Sequence, residues 1–500
     1  MFANRGDVSG ETSIVNPLQR RCVTAGLMIA TAIQVADALI TNVALPQLEK
    51  DLGGGIELGA WIMTSYLCAT AVMAPLTGWL RQRYGAARLF PAAVRVFIGA
   101  SLLCAVAPSG LLMILFRILQ GAGAGVILPL AQAILLDIHP PERHGRVMAV
   151  WGAALMVGPI LGPLLGGIIT DLASWRAVFA INLPLGALVV ALMRGLRDGS
   201  DRPAHTPIDV LSVLLLGIAI GALELTLERS VGRPWLQSLE LASEASVTIL
   251  CLVLLALRSN KSGFSIFRLD VFKDIRFAAA AFYNFVTSAL VFVAILFLPA
   301  LAQGPLSYSA TLAAFTIVPR AMLMTLVMLL VGRLIGRVSY RILLGAGWVL
   351  MAAGLAILAH IESVHALAWM LTGSMVQAIG AGLLFTPHST LAFSTLSPAQ
   401  RTDAAGLYSL LRQLGFASGV ALMSAVLRVR LDENLLASAT AGGVPATEAS
   451  VNAASLSAYA DCFGMMALAA IAVSPGILIF GTTRSAEEKE AYRRHTTGVH

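Results

Sequence analysis

The stretch Gly158-Pro159-Ile160-Leu161-Gly162-Pro163-Leu164-Leu165-Gly166-Gly167 lies inside an apolar run from about Val147 to Thr170. Glycine and proline break helices in water. A bilayer tolerates them, because neighbouring helices re-satisfy the freed backbone groups and glycine lets two backbones approach closely. Gly158, Gly162 and Gly166 are spaced four apart, so they stack on one helix face as two overlapping small-residue units. That face suits close contact with another helix, and spacing alone fits plain packing equally well. Pro159 and Pro163, with Gly167 at the end of the run, tilt the reading toward a kinked helix of the kind that moves in a transporter.

Composition extends the membrane reading to the whole chain. Hydrophobic residues make up 57% and charged residues only 12%, against roughly 25% charged in a soluble globular protein. The first apolar run, Cys22 to Val43, is long enough to span and follows a polar segment holding Arg5, Arg20 and Arg21, which argues against a cleaved signal peptide. Cys22, Cys68, Cys104, Cys251 and Cys462 are scattered without paired spacing, which implies neither a disulfide framework nor a metal site.

Apolar runs matched to a span of about 20 residues fall near 22–43, 58–80, 89–107, 111–135, 146–169, 176–193, 209–227, 244–257, 277–302, 309–332, 342–360, 364–387, 404–428 and 459–481. The run at 244–257 is short unless it begins nearer Leu239. Fourteen helices put twenty-four Lys and Arg residues in the tails and one set of connections; the other side holds only Lys50, Arg176, Arg229, Arg233, Arg428 and Arg430. By the positive-inside rule both termini are cytoplasmic. The net charge of +7 is then mostly an inner-leaflet feature, and no nucleic-acid partner is implied.

An internal repeat organises the spans. Gly78-Trp79-Leu80-Arg81-Gln82-Arg83 is echoed by Gly332-Arg333-Leu334-Ile335-Gly336-Arg337, and Gln120-Gly121-Ala122-Gly123 by Gln377 with Gly380 and Gly382. The chain divides into a tail (1–21), a six-helix bundle (22–193), a linker with two further helices (194–258), a second six-helix bundle (277–481) and a tail (482–500). Halves of this kind enclose a site near the midplane and rock around it.

These residues resemble the major facilitator superfamily, specifically its fourteen-helix drug:proton antiporters of the EmrB/QacA type. The likeness rests on Asp37 with Asn42-Val43-Ala44-Leu45-Pro46, on Gly78-Trp79-Leu80 through Arg83 and Gly85, and on Arg117 with Gln120-Gly121. It continues in the Gly158 to Gly167 run and in Trp175-Arg176 with Phe179, Asn182 and Pro184. Gly59-Ala60-Trp61, Pro75 to Leu80, and Leu411-Arg412 with Gly415 and Gly419 are closer to the EmrB subgroup. The resemblance implies an all-α fold of two six-helix bundles plus two inserted helices, in a bacterial inner membrane. It also implies multidrug efflux driven by the proton gradient with no cofactor, and a periplasmic adaptor with an outer-membrane channel as partners. Gln82 stands where the wider superfamily has an aspartate, as in EmrB-like members. Arg320, after Pro319, stands where similar proteins carry a small residue, which leaves the substrate class open.

A charge at the bilayer centre costs about 2.5 to 3.5 kcal/mol, so each one needs a reason. Gln34, Asp37 and Thr41 form a polar stripe on the first helix that faces the interior. Asp37 is either a structural acid paired for insertion or, as the resemblance implies, the proton-coupling site with the fourth-helix Arg117. Arg117 shares a face with Gly121 and Gly125, which places it against a closely approaching helix. Arg320 lies mid-span and either pairs with an acid or faces the cavity. Gln34, Thr41, Gln132, Asn284, Gln377, His388 and Arg412 are further cavity candidates; for Gln132, Asn284, Gln377 and His388 a helix-to-helix hydrogen bond is the ordinary alternative, and for Arg412 it is ordering of the interior. Other classes fare less well. None of the four lysines follows a glycine, which excludes a Walker A loop, and no HExxH pair supports a metalloenzyme. The alternatives kept open are a dedicated exporter of one metabolite and a non-transporting membrane sensor. The stretch from Arg430 to Ala458, rich in alanine, serine and threonine, reads as a long outward-facing loop.

Overall fold

The computed structural model describes residues 16–53, 55–196, 209–230, 239–261, 269–361, 365–442 and 448–479. The first half holds α1 (Pro17–Leu52), α2 (Gly55–Tyr84), α3 (Ala86–Ala105), α4 (Gly110–Asp137), α5 (His144–Leu155), α6 (Val157–Leu172), α7 (Trp175–Ala180) and α8 (Asn182–Leu192). Two central helices follow, α9 (Val210–Ser230) and α10 (Leu239–Lys261). The second half holds α11 (Ile275–Gln303), α12 (Ala310–Leu334), α13 (Tyr340–Leu358), α14 (Ala366–Phe393), α15 (Pro398–Gly442) and α16 (Glu448–Val473). Among the described residues, eleven helices are long and apolar enough to cross a membrane. The helix expected at 244–257 begins at Leu239, and α9 and α10 pack on each other, with α9 also touching α2 and α15.

Local chemistry sets the ends. α1 begins at Pro17, five residues earlier than the apolar run indicates, because the Asn16 side chain accepts from the Leu18 amide and proline suits the first helical turn. It stops at Gly53, whose φ of 74° is left-handed. Ser109, Asp274 and Ser309 cap α4, α11 and α12 in the same way.

Two expected single spans are each broken in two. The run at 146–169 divides at Met156, where the Met156 amide bonds back to Ala153. Pro159 supplies no amide for the Leu155 carbonyl, so the regular ladder cannot continue there. The run at 176–193 divides at Ile181 for the same reason, since Pro184 gives none to Ala180. The side chains of Pro159 and Pro163 lie outside the described residues.

Where it is described, the stretch 430–458 is not a loop. α15 continues to Gly442 and α16 starts at Glu448, so its residues outside 443–447 are helical. Alanine is the best helix former, and low hydropathy hid this from the span count. Asn434 donates to the Ala454 carbonyl (3.2 Å) and Arg430 meets Asp461 at 4.0 Å, tying the hairpin, while Arg430 also pairs with Glu433 on its own helix at 3.0 Å. At 1.5 Å per residue the 45-residue α15 is about 67 Å long, roughly twice a bilayer core.

The repeat is visible in the packing. α1 lies on α6, α2 on α4 and α3 on α4; α11 lies on α15, α12 on α14 and α13 on α14. The two halves meet where α2 and α4 face α15 and where α5 faces α12 and α14.

Candidate functional site: a buried carboxylate and its cross-half latch

Asp37 is 1% exposed in the middle of α1. Arg117 of α4 donates from Nη1 to its Oδ2 at 2.9 Å, and neither side chain has any exposure. Gln120, one turn along α4, donates to Oδ1 at 3.0 Å and accepts from Arg117 at 2.7 Å. Asn182 donates to the same Oδ1 at 2.5 Å. Ser101 of α3 accepts from Gln120 (2.6 Å) and Asn182 (2.8 Å), which fixes both amides. The carboxylate thus receives three charge-assisted or amide donors, the usual condition for holding a charge away from water.

The cation is held from several sides, although its Nη2 has no hydrogen-bond partner among the described residues. The Arg117 guanidinium stands 4.0 Å from the centroid of Tyr66 and 5.8 Å from that of Phe179, and its Nε points to the Ile62 carbonyl at 3.4 Å. Aromatic faces stabilise a desolvated guanidinium. Gly121 and Gly125 make this possible: a methyl group at Gly121 would stand 2.5 Å from the Tyr66 carbonyl, so only glycine lets α2 come this close. Gln34 donates to the Tyr66 hydroxyl at 3.3 Å, and Thr41 donates to the Asp37 carbonyl at 2.7 Å.

The expected pair of Asp37 and Arg117 is therefore a direct contact. Gln120, Asn182, Ser101 and Tyr66 complete it without having been singled out as site residues. Asn182 had a visible signal, since it sits two residues before the proline that breaks the helix and frees it to turn inward.

The glycine face also has its partner. Gly158, Gly162 and Gly166 lie against Val35, Leu39 and Val43, a stripe on α1 roughly opposite Asp37. α1 is clamped between a smooth glycine groove on one side and the buried charge network on the other.

The cavity candidates of the second half are dispersed except for Arg320 and Gln377, which touch. Asn284 donates to the Tyr408 carbonyl at 3.1 Å, and Gln377 donates to the Leu290 carbonyl at 3.1 Å. Gln132, in the first half, is 3.8 Å from the Met148 sulfur. Each of these is a helix-to-helix contact. Arg320, 2% exposed, donates from Nη2 to the Val291 carbonyl and to Gln377 Oε1, both at 3.2 Å, and among the described residues it has no carboxylate partner. His388 stacks on Tyr283 with ring centroids 5.5 Å apart, and neither of its ring nitrogens has a hydrogen-bond partner. Arg412 reaches the Ser409 hydroxyl at 3.5 Å.

A latch joins the halves at the arginine-rich end of the bundle. Asp137, with a fully covered side chain, takes Arg81 on one oxygen (2.7 Å) and Arg401 of the other half on the second (3.4 Å). Arg81 also donates to Thr402 at 2.6 Å. Gly78 leaves room for Asp403, Gly406 rests on Ala74 and Pro75, and Gly145 meets Ile335.

Comparison with known proteins agrees with this geometry. The Major Facilitator Superfamily profile matches residues 27–420. The multidrug export protein EmrB of Haemophilus influenzae is 31% identical over 402 residues, 80% of this chain and 79% of that protein. The fatty acid resistance protein FarB of Neisseria gonorrhoeae is 30% identical over 403 residues, 80% of each. Among solved structures, the human organic anion transporter MFSD10 shares the fold with a TM-score of 0.63 at 14% identity, over 91% of this chain and 100% of that one. With its repeated helix pairs, its clamped first helix and these relatives along most of its length, the chain belongs to the Major Facilitator Superfamily, on the EmrB side of it.

Proposed function

We propose that this chain is a proton-driven exporter of drugs or other amphipathic small molecules, working by alternating access in a bacterial inner membrane with both termini cytoplasmic. The single observation that carries the reading is Asp37, a lone carboxylate held by Arg117, Gln120 and Asn182 in the core of the first half. With Asp37 ionised the pair is neutral overall. Protonation leaves Arg117 as an uncompensated buried charge, which costs several kcal/mol if nothing moves. α1 is the element that relieves it, because its other face runs along glycines where sliding meets no interdigitated side chains. The latch at Asp137 sits on the arginine-rich side, so the arrangement corresponds to a cytoplasmic side that is closed. Relatives named as multidrug export proteins support efflux as the direction.

The proposal extends to an adaptor. The helical hairpin at the far ends of α15 and α16 is the surface a periplasmic partner, and through it an outer-membrane channel, would meet. Full resistance from the chain alone would remove that partner from the account.

The deciding experiment is Asp37→Asn in everted vesicles. Gradient-driven efflux should disappear while the protein still inserts and melts normally. Wild-type efflux by that variant at normal expression would overturn the proposal.

A further inference from the structure

At the end of the bundle away from the Asp137 latch, α11, α15 and α16 enclose a cavity of about 570 Å³. A space of about 300 to 1,000 Å³ holds a small ligand. The cavity floor is apolar, made by Leu296, Phe297 and Ala300 of α11 with Leu427 of α15, and Tyr459 of α16 stands edge-on to Phe297 at 5.4 Å. The rim is polar. Ser424, Arg428 and Asp432 line it four residues apart, so they climb one face of α15.

Helix lengths give the depth of the cavity. Arg428 lies thirty residues beyond Pro398, where α15 begins near the latch, which is about 45 Å along the helix axis. A bilayer with its headgroups is about 40 to 45 Å thick. Ala300 lies less than a turn from the end of α11 at Gln303, so the floor falls among the upper acyl chains and the rim among the headgroups. Asp432 has no hydrogen-bond or ion-pair partner among the described residues, while nearby Arg430 takes Glu433 and Asp461. Side chains four apart on a helix leave the backbone about 6 Å from one another. Arg428 and Asp432 therefore present a cation and an anion side by side above an apolar surface.

We propose that this cavity binds one zwitterionic phospholipid of the phosphatidylethanolamine type, with its phosphate on Arg428, its ammonium on Asp432 and its upper acyl chains over Leu296, Phe297 and Leu427. A guanidinium fork matches phosphate oxygens, and the Asp432 carboxylate accepts from a primary ammonium. A choline headgroup carries the same charges with no N–H to donate, and a glycerol headgroup has no cation. The site therefore tells the three apart. Seated there, the lipid joins the end of α11 to the foot of the α15 and α16 hairpin. Binding of this kind does not depend on export.

The test titrates the full chain in dodecyl maltoside with dioctanoyl phosphatidylethanolamine, phosphatidylcholine and phosphatidylglycerol, counting bound lipid by native mass spectrometry. The wild type should take one phosphatidylethanolamine about three- to fivefold more tightly than either of the others, the range of a partly exposed charge pair. Asp432→Asn should erase the preference over phosphatidylglycerol. Arg428→Gln should weaken phosphatidylethanolamine by a similar factor and leave dioctanoylglycerol, which has no phosphate, within about twofold. Ala300→Trp keeps both charges and fills the floor, so it should abolish one-to-one binding of all three lipids. Ala300, Arg428 and Asp432 are exposed, so all three variants should fold. Equal wild-type affinity for the three lipids, or full binding by Ala300→Trp, would overturn the proposal. So would equal competition by dodecylammonium, which has the cation and an apolar chain without the phosphate and would assign the site to cations alone.

Discussion

A single methyl group added at Gly162 separates a moving glycine contact from one that merely fills space. Its carbon would stand 2.8 Å from Leu39 Cβ, where carbon atoms ordinarily rest about 3.5 to 4.0 Å apart. Roughly 1 Å must be found between α6 and α1. Overpacking of this size costs about 1 to 3 kcal/mol. α1 has little room to yield, since its opposite side carries the bonds of 2.5 to 3.0 Å to Asp37. Gly162→Ala should therefore slow proton-driven efflux several-fold and lower the melting temperature modestly. Gly166→Ala, at 3.0 Å from Val43 Cβ, should do less. Gly167→Ala is the control, because a methyl group there meets nothing within 4 Å. The assay is initial efflux rate in everted vesicles, matched for the amount inserted. If Gly162→Ala and Gly167→Ala behave alike, the reasoning about the α1 clamp is wrong.

Two further outcomes follow from features of the same structure. Asp137→Asn removes the charge that Arg81 and Arg401 share, so the arginine-rich end should open more often; a spin-label pair across α4 and α15 should show a longer distance, and an unchanged distribution would refute the latch. Asp209, at the start of α9, is held at about 2, below the usual carboxylate range, chiefly by the Arg258 hydrogen bonds of 2.8 and 3.0 Å and further by Ser212. A depressed acid stabilises the fold above its ordinary value near 3.8, and that contribution is lost as pH falls through about 2. Arg258→Gln should move the Asp209 carboxyl titration, followed by carbon NMR, up toward the ordinary range, and an unmoved titration would deny the pair its role.

The helical bundle and the Asp37 to Arg117 pair were legible because each rests on a single strong constraint. A bilayer admits few structures, and a buried acid needs a donor. Ser101 was harder to see, because a serine in an apolar helix is usually satisfied by its own backbone; here it accepts from two amides brought from α4 and α8. The stretch 430–458 was misread because hydropathy measures affinity for lipid and says nothing about the helix propensity of an alanine-rich segment. Arg320 fell between readings. Its acceptors, the Val291 carbonyl and Gln377 Oε1, come from α11 and α14, which the sequence alone does not bring together.

α15 begins beside the Asp137 latch and ends in the hairpin tied by Asn434 and Ala454. One continuous helix therefore joins the latch between the two halves to the hairpin at its other end. Pivoted about its middle, it has arms of about 34 Å, so a tilt of roughly ten degrees would sweep the tip through about 6 Å, by the rise per residue of a helix. A change at the inner latch would thereby reach the hairpin as a displacement about twice the length of the hydrogen bonds that set it.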